Sequence, residues 1–175
     1  MLATTDLAKN FKPLEEYNGK WYVCWDFKAV MTQTEKIENG KIYTVDVPTD
    51  RASWKYFIVN HKPSVSEIKD AIFDYIDNET SKRIINTFVW NGYNVYLSTI
   101  NQSNYKTAYD LAIQTNGNSL PVRFKFAKNG ETAYYTFENI DEFTDFYTCM
   151  VKHINSCLSN GWDKKDSIMF DDYKI

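Results

Sequence analysis

Three side chains with ligand chemistry recur at four-residue spacing late in the sequence: Cys149, His153 and Cys157. On a helix that spacing sets them on adjacent turns, where either His–Cys neighbour pair could chelate zinc. A structural zinc usually takes four ligands, and the remaining cysteine, Cys24, stands far away in sequence. The row also drifts by about 40° per step around a helix. Cys157 thereby reaches the edge of an apolar face while Cys149 turns away from it. The row is read as unpaired boundary residues with no metal. A Cys–His nucleophilic pair fares worse, because no third group is identifiable to orient the imidazole.

The other reactive groups are less specific. Glu67, Asp70, Asp74 and Asp77 fall on one side of a helical stretch, which is the ordinary pattern of a solvated acidic face. With 23 carboxylates in the chain, the presence of pairs such as Glu142 and Asp145, or of Asp110, identifies no acid–base couple. There is no G-x-G-x-x-G, no phosphate-cradling loop ending in Gly-Lys-Ser/Thr, no nucleophile elbow and no H-E-x-x-H. His61 sits at a strand-to-helix junction as a surface polar residue. The expectation is a chain that is not an enzyme, with no catalytic residue, cofactor or metal.

A denser polar cluster lies at Ser98-Thr99-Ile100-Asn101-Gln102-Ser103-Asn104-Tyr105. Capping of a helix start explains Ser98 or Thr99 but does not require Gln102 and Asn104. Those two amides each donate and accept hydrogen bonds, so they suit a buried structural cluster that fixes how a hairpin meets the helix. Capping alone and the amide cluster stand as equal readings.

Thirteen Tyr, eleven Phe and five Trp exceed what a core of this size can turn inward, so some are expected at protein interfaces. Trp21, Tyr22, Trp25, Trp54 and Tyr56 are the candidate interface residues, and a homo-oligomer is expected. The net charge of −3 offers no cationic field for nucleic acid. No signal peptide is recognisable, and no apolar run approaches the roughly 18 residues of a membrane span. Cysteines without a paired framework fit reduced thiols in a protein made in a cytoplasm.

The elements that carry these groups follow from punctuation and periodicity. Residues 1–19 predict a short helix or extended arm ending near Asn18-Gly19. Strands are predicted over 21–30, 41–47 (after the turn Asn39-Gly40, and ended by Pro48) and 54–59, together an antiparallel meander. Ser64 and Glu67 form a capping box opening a helix whose apolar face is Val65, Ile68, Ile72, Tyr75 and Ile76. A second short helix is predicted over 79–87. The turn Asn91-Gly92 makes a hairpin of 88–90 and 93–97, and a helix over 98–115 is closed by Gly117. Another hairpin joins 120–127 to 132–137 around Lys128-Asn129-Gly130. Asn139 and Glu142 box the longest helix, with Ile140, Phe143, Tyr147, Met150, Val151, Ile154 and Leu158 on one face and Gly161 as its end. A short helix over 163–169 follows. The fold class is α+β: an antiparallel β-meander and two β-hairpins packed with three to four helices. The expected modules are 1–62 and 63–175, with one shared core as the alternative.

The second half resembles an uncharacterised domain that recurs in bacteriophage proteins, often at the C-terminal end of tail-fibre or tail-assembly proteins. The likeness spans about residues 64–170. It is carried by the hairpin Phe88–Leu97, the run Asn101-Gln102-Ser103-Asn104-Tyr105, Leu120-Pro121, and a closing helix through Phe143, His153 and Ile154 to Gly161 and Lys164. The resemblance implies a non-enzymatic virion protein, tail- or fibre-associated, synthesised in the host cytoplasm and partnered by other phage structural proteins. The alternatives are an assembly chaperone not retained in the particle, and a small enzyme or anti-defence protein with an unrecognised pocket.

Overall fold

A computed structural model describes residues 2–6, 12–38 and 41–174. The chain divides into two units, 1–72 with 168–175, and 73–167. This division does not fall at residue 62: it passes through the first helix, and the C-terminal segment belongs with the N-terminal one.

In the first unit the sheet runs β1-β4-β3-β2, all antiparallel, from β1 (Leu2–Asp6), β2 (Leu14–Tyr17), β3 (Lys20–Glu38) and β4 (Lys41–Val59). The residues expected as a helix or arm therefore supply two strands, and Asn18-Gly19 turns β2 into β3 with φ of 51° and 72°. The strands expected over 41–47 and 54–59 are one continuous strand, so Pro48 does not end it. Pro48 stays paired with Met31, beside a register shift, and among the described residues β1 pairs with β4 over 51–55. Proline within a strand is accommodated at a bulge or similar irregularity, where the ladder is already interrupted. The predicted Asn39-Gly40 turn lies outside the described residues. Leu14, Val23, Trp25, Ala52, Ile68 and Ile72 are buried here. A 3₁₀ turn (Phe170–Tyr173) adds Tyr173, whose Oη donates to the Cys24 carbonyl at 2.7 Å.

Helix α1 (Val65–Asn86) starts in the first unit and continues into the second. Its capping box forms as the residues dictate. Ser64 N and Oγ donate to Glu67 Oε2 at 2.7 and 2.8 Å, and Glu67 N donates back to Ser64 Oγ at 3.3 Å. The separate helix expected over 79–87 is the continuation of α1, because no Gly or Pro interrupts this stretch.

The second unit has the sheet order β5-β6-β7-β8, from β5 (Phe88–Trp90), β6 (Tyr93–Val95), β7 (Val122–Lys128) and β8 (Glu131–Phe137). Helices α2 (Thr99–Gln114) and α3 (Ile140–Asp166) complete it. Strand alternation sends Phe88, Trp90, Val95, Phe126 and Phe137 into one core with Tyr105 and Ala112 of α2 and Phe143, Phe146 and Met150 of α3. Each of the larger of these side chains contributes about 1.5–3 kcal/mol by leaving water. Some rings meet edge-on, as Trp90 does on Phe146 with centroids 5.4 Å apart, and others stack, as Phe137 does on Phe143 at 4.6 Å.

Helix α3 differs from expectation in three respects. It runs through Gly161 to Asp166, absorbing most of the short helix predicted after it. Its buried side is Phe143, Phe146, Met150, Cys157 and Gly161, while Val151 is exposed. Its capping box is half made: Asn139 Oδ1 accepts from Glu142 N at 2.9 Å, but the Glu142 carboxylate takes the Tyr135 hydroxyl instead. Gly161 has another reason to be glycine. A Cβ there would stand 2.6 Å from Thr80 Oγ1 on α1, so the two helices approach through the missing side chain. Among the described residues, no helix is long and apolar enough to cross a membrane.

Candidate functional site

The second sheet contains an interrupted ladder, and the residues around the interruption form a groove. Asn91-Gly92, with φ of 47° and 77°, closes a two-residue hairpin in which Trp90 opposes Tyr93. Antiparallel pairing alternates, so Trp90/Tyr93 and Phe88/Val95 exchange their backbone bonds while Asn94 turns its N–H and C=O to the other side. The hairpin at Asn129-Gly130 is built alike: Lys128 opposes Glu131, and Ala127 and Lys125 turn their backbone groups away from β8. Asn94 and Ala127 find each other, and theirs is the single pair joining β6 to β7. The next rung in that register would join Tyr96 to Lys125. It does not form.

The amide cluster explains why. Asn101 Nδ2 donates to the Tyr96 carbonyl at 2.8 Å, tying to the start of α2 the group that a further rung would present to β7. Gln102 Nε2 donates to the Leu97 carbonyl at 2.7 Å, and Leu97 N donates to the Ile85 carbonyl at 2.9 Å. Ser98 caps α2 by accepting from Asn101 N at 3.2 Å. Chain and helix start are thus fastened to each other rather than to β7. Of the two amides singled out in the sequence, Gln102 makes such a tie. Asn104 is exposed and forms no side-chain hydrogen bond among the described residues, and its neighbour Asn101 makes the second tie.

The space left between Tyr96 and Lys125 is a groove of about 420 Å³. Asn94, Tyr96, Asn101 and Asn104 stand along one side, Lys125, Ala127 and Thr132 along the other, over a floor of Tyr105, Phe124 and Phe126. Burial pushes the Tyr105 phenol up to about 12, so it stays neutral. Among the described residues no carboxylate lines the groove. Sequence reading missed Asn94, Tyr96, Asn101 and Lys125. Only Asn101 had a local signal, as a third amide in the polar run.

The three side chains of the Cys149–His153–Cys157 row do not share one set of surroundings. His153 Nε2 lies 3.3 Å from the Ile84 carbonyl and 3.8 Å from Cys157 Sγ, whereas Cys149 Sγ faces Asp145 Oδ1 at 3.9 Å. Among the described residues no three His, Cys, Asp or Glu side chains are placed to hold a metal ion. The acidic stripe is exposed. Glu67 belongs to the cap, and Asp77 pairs with Lys165 at 2.6 Å. His61, also exposed, sits 3.1 Å from Glu67.

In the first unit the aromatic residues expected at an interface pack against neighbouring side chains of that unit. Trp25 is buried, 5.5 Å from the Phe57 ring; Tyr22 and Tyr56 meet at 6.2 Å; Trp54 stacks on Phe27 at 6.3 Å. Trp21 is half-buried beneath Lys62 Nζ at 5.4 Å. The bare apolar surface lies further along the β3–β4 ribbon. Ile37 and Ile42 oppose each other across the strands and are 74% and 66% exposed, with Met31 and Tyr43 also exposed. Between residues 31 and 47 neither edge of this ribbon has a third strand among the described residues.

Neither a curated protein nor a solved structure gives a significant match to this sequence. A family match covers 67–175, which takes in most of α1 and every element after it, the groove included. The chain accordingly belongs to the family described as "Domain of unknown function (DUF4376)".

Proposed function

We propose that the chain is a non-enzymatic structural component of a bacteriophage particle, associated with its tail or fibre, and that it acts by protein–protein contact. The observation that carries this reading is the β3–β4 ribbon. An isolated pair of strands is marginal in water, and open edges invite further pairing. A ribbon that also displays the Ile37–Ile42 pair is stabilised when another protein covers it. The bacteriophage assignment draws its support from the residues of the resemblance: the hairpin Phe88–Leu97, Asn101–Tyr105, Leu120-Pro121 and the closing helix.

The test is mass spectrometry of purified particles of the phage encoding the chain. The chain should be present in stoichiometric amount, and the double variant Ile37→Asp/Ile42→Asp, folded by circular dichroism, should be missing from particles. A chain required for assembly but lacking in finished particles would replace this reading with an assembly chaperone. A chain dispensable for both would refute any role in the particle.

A further inference from the structure

We propose that the groove between Tyr96 and Lys125 is a peptide-binding site, which takes an extended segment of a partner protein as the missing rung of the second sheet. The inference does not depend on the phage reading and stands or falls separately.

Lys125 presents its N–H and C=O away from β8, at the level where β6 has already turned aside. The neighbouring acceptor that could have served them, the Tyr96 carbonyl, is held by Asn101. A donor and an acceptor at strand spacing are therefore left for an incoming chain, which is how sheets recruit peptides. The side chains fit the same occupant. Asn94 and Asn104 have unengaged amides among the described residues, and an amide offers a peptide unit the same donor–acceptor pair that another peptide unit would. Tyr96, 57% exposed, gives a flat apolar wall for an outward-pointing side chain. Tyr105 and Phe124 give an apolar floor for an inward one. Among the described residues Lys125 is the sole charge in the lining, which favours a segment with an acidic residue beside the paired one. The volume lies within the roughly 300–1,000 Å³ of ligand sites.

The experiment uses the full chain, labelled with ¹⁵N, and a positional-scanning pool of N-acetylated, C-amidated pentapeptides. Binding pools should shift the Lys125 backbone amide and the side-chain amides of Asn94 and Asn104. N-methylation of the central peptide nitrogen should weaken the best pentapeptide at least tenfold. Lys125→Pro removes the groove-side donor without touching a β7–β8 bond and should abolish binding. If that variant does not fold, Asn94→Ala/Asn104→Ala, whose side chains hold nothing else in place, should weaken binding about tenfold. Pools that leave Lys125 unmoved, or a best peptide indifferent to N-methylation, would overturn the proposal. So would maltotriose or chitotriose occupying the groove where every peptide pool fails.

Discussion

Replacing Gly161 with alanine should destabilise the protein, although alanine is the better helix former. Gly161 lies inside α3, where Ala is favoured by about 1 kcal/mol. Against this stands Thr80, whose Oγ1 would be 2.6 Å from the new Cβ, with Cγ2 at 3.4 Å and Cβ at 3.5 Å. β-Branching restricts the threonine's rotation, and the turn that brings its methyl into the place of its hydroxyl gives no relief. Overpacking of this kind costs about 1–3 kcal/mol, so Gly161→Ala should come out destabilising by up to about 2 kcal/mol. Removing the obstacle reverses the sign. In a Thr80→Ala background the same change should stabilise by about 1 kcal/mol, and the double-mutant cycle should give a coupling of about 1–3 kcal/mol. Urea unfolding of the four proteins, followed by circular dichroism with midpoints and slopes compared, measures this directly. A Gly161→Ala chain more stable than the parent would refute the close-approach argument, as would a coupling near zero.

Gln102→Leu leaves the Leu97 carbonyl without its partner and should cost about 1–3 kcal/mol, whereas Asn104→Leu should stay within about 0.5 kcal/mol in urea unfolding. Equal costs would contradict the division of roles among these amides. The α1 cap should be acid-sensitive. Hydrogen bonds from the Ser64 backbone and side chain, and then His61, lower the Glu67 carboxyl from 4.5 to about 2. A depressed carboxyl contributes stability that is present above 4.5 and lost as pH falls through about 2. Thermal melts of the parent should therefore decline more steeply over that range than those of Glu67→Gln. Superimposable declines would show the cap to be indifferent to charge.

What the sequence made legible was whatever is local. Asn-Gly pairs announce two hairpins because few other dipeptides accept two positive φ angles, and Ser64-x-x-Glu67 announces a helix start because its bonds span three residues. Boundaries failed where a tertiary partner overrode a local signal. Gly161 reads as a helix end but is required by Thr80, and Pro48 reads as a strand end but stays paired with Met31 beside a register shift. The groove was hardly legible. Its central feature is a rung that does not form, and the residues on its two sides, Tyr96 and Lys125, meet only once both hairpins are in register. The exposed Ile37–Ile42 pair was illegible for the same reason: burial is decided by what the neighbouring strands fail to cover.

The bond from Tyr173 to Cys24 has a consequence for the order in which the protein can be completed. Its two ends belong to one unit, and the whole of residues 73–167 is threaded between them. During synthesis Cys24 emerges early, and its carbonyl waits for its partner until the inserted unit has been made. The inserted unit is continuous in sequence and can close on its own contacts first; the unit that starts the chain closes last. A cut near residue 63 would then divide the molecule unevenly. It would strand Tyr173 on a piece that no longer contains the carbonyl it was built to meet, and deprive the other piece of Ile68 and Ile72. The severable piece is the interior one, excised with both of its ends rejoined elsewhere, and not either half of the sequence.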